Sequence, residues 1–181
     1  MLSLIKQESV AADAWKLLTL AENEVAETVN LPVGPLLVPV AVWQARRREL
    51  VEREYAHGWP LGVWLDAGES PRVIADDLDD FSVVAVHFPK STDGRGCFTA
   101  RLLRRRLGYR GELRAFGDVP SEQLVSLRRS GFDAFTLRAD QAAHAPLSGL
   151  LALDPAAQAA AGRPLRLAAS ALPHFRTART A

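Results

Sequence analysis

The sequence predicts an α/β domain made of successive right-handed βα units around a parallel sheet of about four strands. Two observations carry that expectation. Short runs of apolar and β-branched residues, "LGVWL" (61–65), "SVVAVHF" (82–88), "ELRAF" (112–116) and "FDAFTLR" (132–138), recur along the chain. Between them lie stretches with helix-start chemistry and closing glycines, so strand–helix–strand occurs three times in succession, the pattern of parallel crossovers. Such a sheet either curls into a half-barrel of the TIM type or stays small and open, and the periodicity admits both.

In chain order, residues 1–35 read as an N-terminal extension in which "AWKLLTL" suits a short strand or half a helix equally. The core domain is expected over 36–150. Pro39 suits the first turn of a helix whose stripe is Val40, Trp43, Arg47, Leu50, Val51 and Tyr55, closing at His57-Gly58. After "LGVWL", Ser70 is an N-cap and Pro71 a first helical residue. "SVVAVHF" is apolar almost throughout, as a parallel strand buried on both faces should be. The Asp93-Gly94-Arg95-Gly96 turn then opens a helix carrying Phe98, Leu102, Leu103 and Leu107 and closed by Gly108. "DVPSEQLVSLRRSG" is a capped helix ending at Gly131. Residues 151–181 read as a helical or frayed tail, and Gly162-Arg163-Pro164 interrupts it.

Composition excludes several classes of function. Twenty-two basic and 21 acidic residues leave a net charge of +1, which argues against a protein built to coat nucleic acid, and the basic stretch lacks interleaved aromatics. Cys97 is the single cysteine. It cannot form an internal disulfide, a four-cysteine zinc site or the ligand set of an iron–sulfur cluster, so any redox role needs a borrowed cofactor. No apolar run is long enough to span a bilayer, and "MLSLIKQESVAADAW" lacks the apolar core of a secretory signal. The expected compartment is the cytoplasm.

Parallel α/β architectures gather ligands at the carboxyl ends of their strands. That edge carries Asp66, then His87 with Lys90, Asp93 and Arg95, then Asp118, then Arg138 and Asp140. His87 and Asp118 are the candidate acid–base residues. Gly94 and Gly96 allow positive φ and close approach of backbone amides, and Arg95 offers a planar fork for a small oxyanion or phosphate. Arg101 and Arg104 extend the basic patch along the helix. The bland alternative is that Asp93 caps the helix and the glycines make a tight turn. Glu112, Arg114 and Phe116 share one face of their strand. They form either an ion pair on an edge strand or the wall of a cavity or partner surface. No metal-ligand spacing is present.

The residues also resemble a known family. "FPKSTDGRGCFTARLLRRRLGYRGELRAFGDVPSEQLVSLRRSGFDAF" is similar to the core of a bacterial family of undefined molecular function, often labelled "oxidoreductase probably involved in sulfite reduction". The blocks that carry the resemblance are Phe88–Lys90, Asp93–Gly96, Ala100–Arg104, Gly111–Ala115, Gly117-Asp118 and Gly131–Phe135. The chain departs from the pattern at Cys97-Phe98-Thr99, where the family carries an aromatic residue followed by serine, and at Glu122-Gln123, where it carries Asp-Gln. The resemblance implies an accessory protein of assimilatory sulfite reduction. It would bind an oxyanion, or act as adaptor or electron-delivery partner of the sulfite reductase haemoprotein. The alternative is a half-barrel-like enzyme acting on a phosphorylated or sulfated small molecule.

Overall fold

A computed structural model describes residues 2–6, 9–11, 13–90 and 94–138. The expected tail over 151–181 lies outside them. The strands are β1 (Leu2–Lys6), β2 (Ser9–Ala11), β3 (Lys16–Leu17), β4 (Leu36–Pro39), β5 (Leu61–Leu65), β6 (Val83–Phe88), β7 (Glu112–Gly117) and β8 (Ala134–Arg138). They form one sheet in the order β2-β1-β8-β7-β6-β5-β4-β3.

Among the described residues, the expected sheet of about four parallel strands is therefore corrected to a mixed sheet of eight strands. From β3 to β8 the strands are parallel and adjacent in chain order. At the far edge β1 pairs antiparallel with β8, and β2 antiparallel with β1. Two features hid the additional strands. "LLVP" of β4 runs into the following helix with no turn residue between them, and β3 contributes only two residues.

The sheet is curled into a half-barrel, and chain connectivity demands it. Ala11 ends β2 near one edge, and Lys16 opens β3 at the other edge five residues later. Five residues reach at most about 18 Å, whereas eight flat strands would hold the edges roughly 34 Å apart.

Because each crossover advances the sheet in the same direction, the helices gather on its convex face. They are α1 (Val40–His57), α2 (Arg95–Arg105) and α3 (Leu124–Ser130), with a 3₁₀ segment at Pro71–Asp80 between β5 and β6. Leu36, Val38, Val63, Leu65, Val84, Val86, Leu113 and Ala115 point from the strands into this layer and meet Trp43, Leu50, Ile74, Leu103 and Leu127. The stripe expected on α1 is only half buried. The backbone leaves helical geometry at Arg46 (φ −129°, ψ 27°), and past it Leu50 is buried while Tyr55 is 83% exposed. Pro39 is the last residue of β4 and caps α1 rather than opening it.

Two polar clamps tie the loops to this layer. Arg104 donates to the carbonyls of Tyr109 (2.8 Å), Gly111 (2.8 Å) and Gly131 (3.0 Å) and pairs with Asp133, which also accepts from the Leu113 amide (2.9 Å). Tyr109 is buried, and its hydroxyl donates to the Phe81 carbonyl (3.1 Å) with the Glu112 carbonyl 3.3 Å away. Burial pushes the hydroxyl pKa up, so it remains a donor. Tyr109→Phe is expected to cost about 1–2 kcal/mol, measured by urea denaturation, because it strips a buried carbonyl of its partner.

Candidate functional site

The opposite, concave face is where period-two alternation places the remaining strand residues. Leu37, Val83 and Ala85 are buried there, with Trp15, Trp64 and Phe116 packed against them. The N-terminal segment crosses this face and closes its lower end. Trp15 lies over Gly62, where an added Cβ would meet its Cζ3 at 3.2 Å and Leu37 Cδ2 at 2.6 Å. Asp13 accepts from Arg114 Nη1 at 2.8 Å.

Above this floor, at the carboxyl ends of the strands, a cup of about 300 Å³ opens, lined among others by Trp64, His87, Arg114, Phe116, Gly117 and Thr136. Its walls are aromatic. The rings of Trp64 and Phe116 meet edge-on at 5.8 Å, and those of His87 and Phe116 lie 5.0 Å apart at 31°. The Trp64 indole donates to the Leu18 carbonyl (2.8 Å), which fixes that ring to the crossing segment.

Among the described residues, His87, Arg114 and Thr136 bring polar groups to the part of the cup between Trp64 and β8. His87 Nδ1 lies 2.8 Å from Asp66 Oδ1. A carboxylate there favours the tautomer with the proton on Nδ1 and leaves Nε2 as an acceptor. Arg114 is 2% exposed. Its Nε and Nη2 donate to Glu112 Oε1 (3.0 and 2.8 Å), and its Nη1 donates to Asp13. A guanidinium has five N–H donors, so among the described residues two are left for the cup. Thr136, 8% exposed, adds a hydroxyl to the lining.

The floor is electrically balanced, with Arg114 and Lys6 against Glu112 and Asp13, and Lys6 Nζ is 2.5 Å from Glu112 Oε2. Burial pushes the Glu112 carboxyl up, but the pull of Arg114 and Lys6 outweighs it and leaves the group below the ordinary glutamate range.

The expected site residues divide between two faces. His87, Glu112 and Arg114 belong to the cup and its floor. Asp118 and Lys90 sit exposed just past the ends of β7 and β6, at the rim. Asp93 lies outside the described residues. Gly94, Arg95 and Gly96 open α2, with Arg95 Nη1 3.7 Å from where a Gly68 Cβ would stand. Arg101 is exposed on α2, and Arg104 is engaged in the clamp described above.

The glycines of that turn do not adopt the positive φ anticipated for them. Gly94 has φ −71° with open space around it. Gly96 is buried with an added Cβ only 2.6 Å from Phe88 Cε1, so packing against that ring requires the glycine. The two readings of the Glu112–Arg114 pair are not exclusive. The ion pair forms, on an interior strand rather than an edge, and Arg114 lines a cavity. Sequence reasoning did not single out Thr136, Asp13 or Trp64. Thr136 shares the Glu112–Arg114 face across the β7–β8 register, but only the strand order makes that visible.

Residues 62–167 match the family described as "Bacterial protein of unknown function (DUF934)". The chain belongs to that family. No curated protein matches the chain. The matched span takes in Trp64, Asp66, His87, Arg114 and Thr136, whereas Lys6, Asp13 and Trp15, which floor the cup, precede it. Among the described residues no helix is long and apolar enough to cross a membrane, and no group of His, Cys, Asp and Glu side chains is placed to hold a metal ion.

Proposed function

We propose that the chain is an accessory protein of assimilatory sulfite reduction that binds a small oxyanion-bearing organic molecule in the concave cup, in the service of the sulfite reductase haemoprotein. The observation that carries the binding reading is Arg114, a buried guanidinium with two N–H donors to spare at the base of an aromatic-walled cavity. Guanidinium forks match oxyanions in charge and shape, and a low-dielectric floor strengthens the match. The aromatic walls and the size of the cup suit a ligand larger than a bare oxyanion, whose organic part lies against Trp64 and Phe116. The pathway rests on the resemblance of Ser82–Leu137 to the family labelled for sulfite reduction, a span that supplies β6, β7 and β8 of the cup.

A second reading, that the cup is catalytic, is favoured by the His87–Asp66 pair at its mouth. Nε2 of His87 would be the base and the Asp66 carboxylate would orient the ring.

The test is complementation of a strain lacking the gene. The deletion strain is expected to fail on sulfate and on sulfite and to grow on sulfide; growth on all three would remove the pathway assignment. His87→Ala and Thr136→Val, both soluble and folded, are expected to leave the growth defect in place, and full rescue by both would remove the cup from the function.

A further inference from the structure

On the convex face, away from the cup, α2 and the 3₁₀ segment Pro71–Asp80 enclose a groove of about 1010 Å³. We propose that this groove docks an acidic amphipathic segment of a partner protein. Its apolar part is Phe98, Leu102 and Leu107, and its rim is Arg72, Arg101, Arg105 and Arg106. Phe98, Arg101, Leu102 and Arg105 follow the i, i+3, i+4, i+7 spacing of one helical face. The buried face of α2 is a different one, formed by Gly96, Thr99, Ala100 and Leu103.

Two features of this face lack any compensation within the described residues. Phe98 is 68% exposed and shares the groove with Leu102 and Leu107 inside a rim of arginines, and a contiguous apolar patch rimmed by polar groups is the form interaction surfaces take. The four rim guanidinia make no ion pair among the described residues. The acidic run beside them does not supply one. Asp77 and Asp80 turn toward α1, where they pair with Arg47 at 2.5 and 3.7 Å, and Asp77 also accepts from the Trp43 indole. Favourable interaction with the α2 dipole accounts for Arg105 and Arg106 near the helix C-terminus. It accounts for neither Arg101, in mid-helix, nor Arg72, on another element.

The combination selects the occupant. An acidic segment with interleaved apolar residues neutralises the rim and covers the floor at once. A nucleic acid would satisfy the guanidinia and leave Leu102 and Leu107 unburied. A membrane surface would take up the protruding Phe98 but leave the half-buried Leu102 and Leu107 uncovered. The inference is independent of the cup, which lies on the other side of the sheet.

The experiment is photo-crosslinking in the organism's own cells, with p-benzoylphenylalanine introduced in the full chain at Phe98 and, as a control, at Tyr55, which is exposed on α1. The expected result is a protein adduct at position 98 only, mapped to a partner segment with alternating acidic and apolar residues. Its yield should fall about tenfold when Arg101→Glu and Arg105→Glu are combined. The proposal is overturned by the absence of an adduct above the control, or by an adduct that survives the charge reversal. Adducts with nucleic acid, lipid, a second copy or residues 139–181 of the chain itself would overturn it equally.

Discussion

Arg114→Met is expected to destabilise the protein by about 3–5 kcal/mol at neutral pH, because it removes the shared partner of two carboxylates and leaves Glu112 buried with Lys6 alone. The pH dependence identifies the cause. In the native protein the Glu112 carboxyl is held below its ordinary value of 4.5. Its contribution is therefore complete above that value and is lost as pH falls through the lowered folded pKa. In the variant, burial works against fewer opposing charges, so the folded pKa rises and the penalty is greatest where Glu112 is ionised. The gap between variant and native protein should then narrow as pH falls from neutrality to about 4, which urea denaturation at the two pH values measures. A gap that stays constant would assign the loss to packing instead. Combining Glu112→Leu with Arg114→Met should recover part of the loss, since removing both charges is less costly than removing one.

The fold was legible where each element is self-contained. β5 to β8 are short, apolar and bounded by turn residues, so periodicity alone located them. β4 is equally apolar, but Leu36–Pro39 passes straight into α1, and continuous apolar residues do not reveal where a strand becomes a helix. The β1–β2 hairpin was invisible for another reason. Its place in the sheet depends on antiparallel pairing with β8, more than 120 residues away in the chain, as in the register of Leu4 with Thr136. Strand order, in turn, settled the choice between half-barrel and open sheet.

The site was legible to the extent that it follows one strand. Period two put Glu112, Arg114 and Phe116 on a common face without any structure. Contacts between strands were not readable in the same way. Asp66 and His87 were each visible at a strand end, but their pairing comes from the adjacency of β5 and β6, which aligns Leu65 with Val86. The Asp93–Gly96 turn shows the converse difficulty. Its composition suits an anion loop, yet at Gly96 the ring of Phe88 already explains the glycine. Likewise Arg104 reads as one more arginine of a basic helix until three carbonyls from later loops arrive around it.

Gly117→Ala is the substitution expected to damage fold and site together. Gly117 has φ +102°, outside the conformations an alanine adopts without strain. Its Cβ would collide with the Phe88 carbonyl oxygen and stand 2.9 Å from His87 Cδ2. Neither neighbour yields easily. The carbonyl is fixed by a 2.7 Å hydrogen bond from the Asp118 amide, and the imidazole is held by Asp66. Backbone strain and the enforced shift together predict a loss of about 3–5 kcal/mol. Gly94→Ala is the control, because φ −71° and open space make it neutral or stabilising by about 0.5 kcal/mol. Urea denaturation gives both values, and the ¹⁵N resonances of the His87 ring report the second consequence. In Gly117→Ala the ring must move off its bond to Asp66, and the Nδ1 resonance should shift with it. An unchanged ring spectrum in a destabilised Gly117→Ala protein would mean that Asp66, rather than the turn after β7, sets the orientation of His87.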